Sequence, residues 1–146
     1  MLSTLQFVAT LTAALFAGAA IYINVAEHPA RMALDTRSAA MQWAPSYKRA
    51  TWMQAPLAVI SFLTGTGAWL LGAGRLWLLA ALLIGAVVPF TSIAIMPTNR
   101  RLLAANADLR STETRELLAR WAKLHAVRSV ASAIATVLML WALQLA

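Results

Sequence analysis

Apolar residues run almost unbroken over roughly 2–26, 51–72, 76–96 and 121–144, separated by two polar stretches and one short turn. Each run approaches or exceeds the ~20 residues that a helix needs to cross roughly 30 Å of hydrocarbon. The pattern predicts an all-α chain: an integral membrane, antiparallel four-helix bundle forming one domain over residues 1–146. Four crossings bring the polar stretches 27–50 and 97–120 out on the same side. Every charged side chain except Arg75 falls within 27–50 or 97–128, and so do both histidines, His28 and His125. Any chemistry is therefore expected at one rim of the bundle.

Local signals refine the four spans. Ala9, Ala13 and Ala17 recur at i+4, as do Ala14 and Gly18, and Ser61, Gly65 and Ala68 form a second small face. Small residues at such spacings let helix backbones approach closely in lipid. Pro29 biases His28 away from helical geometry and predicts the end of span one. Residues 30–43 are expected to form a short interfacial helix, with Arg31, Asp35 and Arg37 toward water. Gly72-Ala73-Gly74-Arg75 makes spans two and three a tight hairpin. Pro89 frees a carbonyl inside span three, where Thr91 and Ser92 can satisfy nearby backbone groups. Ser111 or Thr112 is the expected N-cap of a long last helix, with Glu113 and Glu116 in its first turns. Trp52, Trp69, Trp77, Trp121 and Trp141 lie at predicted span ends, as an aromatic belt requires.

Composition agrees. With 61% hydrophobic and 12% charged residues in 146, a water-soluble domain has too little interior for this chain. The net charge of +7 does not imply nucleic acid, because the basic residues flank apolar spans. By the positive-inside rule they place the charged loops in the cytoplasm and both termini on the non-cytoplasmic side, as expected for a bacterial inner membrane. The N-terminus lacks the basic region of a signal peptide, so residues 2–26 are read as a retained first helix. The absence of cysteine excludes disulfide, thiol and iron–sulfur chemistry. The expected partners are the lipid bilayer and a lipophilic small molecule, and a homo-oligomer is compatible with the pattern.

The polar residues at the shared rim are Asn24, Glu27 and His28 from span one, Gln54 from span two, Asn99 after span three, and Trp121, His125 and Arg128 on one face of span four. An arginine inside a span costs roughly 2.5–3.5 kcal/mol at the centre and usually faces a partner in the bundle. Glu27 is the carboxylate nearest a span end on the first hairpin, which suggests a Glu27–Arg128 pair. Snorkelling of Arg128 to the headgroups is the bland alternative. His125 suits a general base, since its ordinary pKa near 6.5 permits proton transfer at neutral pH. It can equally serve as a simple interhelical hydrogen-bonding group. No cofactor is expected. His28, His125 and Glu27 form the one two-His, one-carboxylate metal set on offer, but without a specific spacing. Gly65-Thr66-Gly67 lies in an apolar span and is no nucleotide loop.

The segments Asn24-Val25-Ala26-Glu27-His28-Pro29-Ala30-Arg31, Pro89-Phe90-Thr91, Met96-Pro97-Thr98-Asn99 and Leu117-Leu118…Trp121…Leu124-His125…Arg128 resemble the pattern of the anthrone oxygenase-like family of small membrane proteins. Fungal members oxidise anthrones to anthraquinones with molecular oxygen, without an established cofactor. The resemblance implies a membrane oxygenase or oxidoreductase for a lipophilic aromatic or quinone-like molecule. In that reading His125 is the base, Glu27 or His28 orients it, and Arg128 and Asn99 stabilise an oxyanion. Trp121, Trp52 and Phe90 wall a slot for a flat ring, with Asn24 and Gln54 among the substrate contacts. The competing reading is a non-enzymatic accessory or transporter component whose polar cluster is structural. Fold transfers more safely than substrate.

Overall fold

A computed structural model describes residues 1–145 as entirely helical, apart from turns and loops. Six α-helices follow in order: α1 (Leu2–Tyr22), α2 (His28–Met32), α3 (Thr36–Ala68), α4 (Arg75–Phe90), α5 (Met96–Leu102) and α6 (Thr112–Gln144). Wider π-helical turns, Ile23–Glu27 and Thr91–Ile95, join α1 to α2 and α4 to α5. The continuous helical segments Leu2–Met32, Thr36–Ala73, Arg75–Leu102 and Thr112–Gln144 are each long and apolar enough to cross a membrane. They form an integral membrane four-helix bundle in which α1 and α4 each pack against α3 and α6.

Many leucines, valines and isoleucines face outward, while the interior draws mainly on small and aromatic residues, joined by a few branched ones such as Ile84, Val87, Ile95 and Leu118. Ala9, Ala13, Phe16, Ala20, Trp77, Ala80, Ile84, Ala135 and Met139 make one core toward the termini. The Ser61 hydroxyl donates across to the Ala9 carbonyl at 2.9 Å. A Cβ added at Gly65 would lie 3.2 Å from that of Ala81, so α3 and α4 meet closely there. Ala17, Ser61 and Ala68 are likewise buried, but Ala14 and Gly18 face outward. A second core, including Ile23, Trp43, Ile95, Leu118 and Trp121, closes the rim end. Gly72 and Gly74 turn α3 into α4 with φ of +91° and +98°, a backbone region where a Cβ is strained.

Several local expectations need correction. His28 is helical (φ −69°, ψ −42°), because the preceding π-turn absorbs the proline: the His28 N–H reaches back five residues to the Ile23 carbonyl, giving the Pro29 ring room. The same device recurs at Met96, whose N–H reaches Thr91 just before Pro97. Span three therefore continues helically to Leu102. The anticipated interfacial helix over 30–43 is broken at 33–35, and a new helix begins at Thr36, capped by Asp35 accepting from the Ser38 N–H at 3.0 Å. Hydrogen bonding from Ser38 holds the Asp35 carboxyl below its usual pKa. Ser111 caps α6 as anticipated, accepting from the Thr114 N–H at 3.1 Å. Trp77 and Trp121 are buried, not part of an interfacial belt, whereas Trp52 and Trp141 are exposed on the outer surface.

The two hairpins share one plan. Each runs from an apolar helix through a π-turn and a proline into a short helix, then through a loop with an oxygen-bearing N-cap into a 33-residue helix. At about 1.5 Å per residue each long helix spans about 50 Å, well beyond the hydrocarbon thickness. The surplus supplies the rim.

Candidate active site

Between the two cores lies a polar layer. The π-turn at 23–27 carries Asn24 toward α6, where its Nδ2 donates to the Ala122 carbonyl at 3.0 Å. That bond orients the amide, so Oδ1 faces His125 Nδ1 at 2.7 Å and the Ser129 hydroxyl at 2.7 Å. A carbonyl oxygen only accepts, so His125 Nδ1 must carry the proton. In neutral His125 the lone pair is then at Nε2. The orienting partner of His125 is thus Asn24, neither Glu27 nor His28.

The first-hairpin charges form a separate cluster. Arg31 is 3% exposed, contrary to the expectation that it faces water. It donates to Glu27, to Gln42 and, at 3.2 Å, to Ser46, whose hydroxyl in turn donates to Glu27. The Glu27 carboxylate is therefore taken by Arg31, its neighbour one helical turn on. The suggested Glu27–Arg128 pair does not form. Arg31 Nη1 also lies 3.2 Å from His28 Nδ1. A guanidinium has no acceptor, so Nδ1 accepts and His28 is a neutral ring with its proton on Nε2.

Aromatic stacking joins the clusters. Trp121 lies against both imidazoles, with centroids 5.4 Å from His28 and 4.8 Å from His125. Trp43 meets Trp121 edge-on at 5.8 Å and stacks on Tyr47 at 5.1 Å. Both histidines thus sit at one end of the bundle, each packed on the same indole. Arg128 donates to Gln54 Oε1 at 2.8 Å and rests over the Phe16 ring at 5.3 Å. Among the described residues no three His, Asp, Glu or Cys side chains cluster closely enough to hold a metal ion, so the set His28, His125 and Glu27 is not assembled.

Two spaces adjoin these groups. A small cavity of about 20 Å³ is lined by Trp43, Tyr47, Gln54, Trp121, His125 and Arg128, among others. Such a volume admits about one water-sized molecule. Beside it, a cleft of about 190 Å³ opens sideways between Phe16, Ala58, Val87, Val88 and Met96. Tyr47, Thr51 and Arg128 line both spaces. Trp52 and Phe90 line neither: Trp52 is 84% exposed on the outer surface, and Phe90 packs against the second core. Asn99 is fully buried, with neither end of its amide bonded among the described residues.

The sequence pattern did not single out Arg31, Ser46 or Trp43 for the site. The i,i+4 spacing of Glu27 and Arg31 was the available signal for the first of these.

Comparison with known proteins bears on this arrangement. Residues 43–138 match the sequence pattern of a family described as anthrone oxygenase. The chain is 40% identical over 70 residues to the anthrone oxygenase tpcL of Aspergillus fumigatus. That match covers 46% of this chain and 44% of the relative, so less than half of the fungal protein is represented. No solved structure matches.

Proposed function

Because this chain belongs to the anthrone oxygenase family, we propose that it is a membrane-embedded, oxygen-consuming oxygenase of a flat, lipophilic, phenolic substrate of the anthrone type. The observation that carries the reading is the fixed tautomer of His125. Asn24 holds the Nδ1 proton, which leaves Nε2 free as a base beside a cavity lined with donors.

The substrate enters sideways from the bilayer into the apolar cleft, its rings against Phe16, Val87 and Val88. Its carbonyl oxygen points to Arg128 and Gln54. His125 Nε2 removes a proton from the sp³ carbon opposite that carbonyl. Arg128 offers positive charge to the resulting enolate, a preorganised stabilisation of the kind that dominates many enzymes. Asn99, although its buried amide is unpartnered among the described residues, lines neither space and makes no contact with the enolate in this reading. The enolate passes one electron to dioxygen and the two radicals combine, forming a C–O bond. The peroxide anion takes the proton back from His125. Loss of the second carbon-bound proton then breaks the O–O bond, forms the new carbonyl and releases water. The substrate gives up four electrons and dioxygen accepts four, so no further reductant is needed.

The chain's own residues divide the work in this reading. His125 moves protons, Asn24 orients it, and Trp121 packs the imidazole in place. Glu27, Arg31, Ser46 and His28 form the rigid rim that holds Trp121. His125→Ala should abolish oxygen uptake with an anthrone in proteoliposomes, while the purified protein still inserts and remains helical. Uptake that persists unchanged removes His125 from the role. If the wild-type protein consumes no oxygen with any anthrone, a structural role for the polar layer takes its place.

A further inference from the structure

The charge and donor inventory of the small cavity point to a ligand of its own. Four of its lining residues carry an N–H that is buried and has no partner among the described residues: Trp43 Nε1, Trp121 Nε1, Gln54 Nε2 and Arg128 Nε. Trp43, Gln54 and Trp121 are each less than 5% exposed, so bulk solvent does not serve these donors. The only formal charges on the cavity wall are the guanidinium groups of Arg31 and Arg128. Arg31 is neutralised by Glu27. Arg128 is met by the neutral amide of Gln54 and by an aromatic face, with no carboxylate among the described residues. One positive charge is left beside a small, donor-rich space of about 20 Å³.

Unpaired charge in a poorly solvated interior is costly. A water there accepts hydrogen bonds but leaves the charge unbalanced. An anion satisfies both needs, and the volume restricts it to the smallest ones. We infer that this cavity is a binding site for a small monovalent anion, held by Arg128 and by the indole N–H groups of Trp43 and Trp121. Two sources supply such an anion: a halide from solution, or the superoxide and peroxide anions formed when an enolate reduces dioxygen. The second source rests on the proposed oxygenase reading; the site itself does not.

The test uses the full chain in lipid nanodiscs, titrated with sodium bromide against a constant-ionic-strength gluconate background. Bromide bound beside Trp43 and Trp121 quenches them through a saturable component, above the linear collisional quenching of exposed Trp52 and Trp141. Chloride should displace that component. Arg128→Gln should remove it, and so should Trp121→Phe, a milder change that preserves the packing if Arg128→Gln does not fold. Strictly linear quenching in the wild-type protein overturns the site, as does a saturable component unaffected by either variant. Oxygen uptake with an anthrone then separates the sources. Bromide inhibition relieved by raising dioxygen assigns the site to reduced oxygen, whereas saturable binding without inhibition assigns it to halide. If bromide binds and no anthrone is oxidised, the site stands and the oxygenase reading falls.

Discussion

Replacing Asn24 by leucine tests the proposed chemistry at the point where the structure is most specific. The side chain makes three hydrogen bonds, to Ala122, His125 and Ser129. Leucine is close in size but accepts nothing. Ser129 keeps a fallback, since its hydroxyl already lies 3.4 Å from the His125 carbonyl. The His125 Nδ1–H has none, and leaving it unpaired in the interior costs about 1–3 kcal/mol. The bundle tolerates that loss. Turnover suffers more, because the freed imidazole can rotate or move its proton to Nε2, and either change removes the base. A positioned general base contributes about 10²–10⁴-fold. Asn24→Leu should thus lower kcat by about 10²-fold, with little change in KM, since Asn24 lines neither space. The assay is oxygen uptake in proteoliposomes with an anthrone, with helical content and a monodisperse elution profile as the folding controls. Asn24 acts only through His125, so the double variant with His125→Ala should be no slower than His125→Ala alone. Losses that multiply, or a wild-type rate in Asn24→Leu, would refute the tautomer argument.

Three further outcomes follow from the packing. Arg31→Met strands Glu27 at the rim and should destabilise the bundle in detergent by about 3–5 kcal/mol, with partial recovery on adding Glu27→Gln; equal thermal midpoints for Arg31→Met and wild type would show the cluster to be idle. Gly85→Ala would place a Cβ 2.6 Å from the Phe62 ring. It should lower the thermal midpoint, equivalent to about 1–3 kcal/mol, unless paired with Phe62→Leu. Asp35 has a lowered pKa in the folded protein, so its cap stabilises α3 above the usual carboxylate range and loses that effect as pH falls through the folded value. Asp35→Ala should accordingly melt earlier at pH 7, with the gap closing in acid, and a gap independent of pH would show that the carboxylate is not the cap.

The four spans, the glycine turn and the Ser111 cap were legible because each depends on local composition or one residue's geometry. The gathering of His28 and His125 at one rim was also legible, since it needs only an even number of crossings. The detailed pairing was not. Reading Pro29 as a helix end hid the fact that Asn24, Glu27, His28 and Arg31 lie along one continuous helical segment. The π-turn that makes this continuity possible has no sequence mark beyond the proline that follows it. Arg31 was placed in water because charge alone was weighed, without the hydrogen-bond partners that Glu27, Gln42 and Ser46 supply. Trp77 and Trp121 illustrate a similar limit: position along a span does not tell whether an indole faces lipid or the interior. For Trp121 the deciding contacts come from α2 and α3, far away in sequence.

The sideways opening between Phe16, Val87 and Val88 also bears on kinetics. A site filled from within the lipid responds to the mole fraction of substrate dissolved in the membrane, not to its total amount per litre. Adding protein-free vesicles would then slow turnover by surface dilution, and the hydrophobicity of a compound would govern its apparent KM as strongly as its fit. Product that remains in the leaflet would compete for the same doorway until another molecule draws it off.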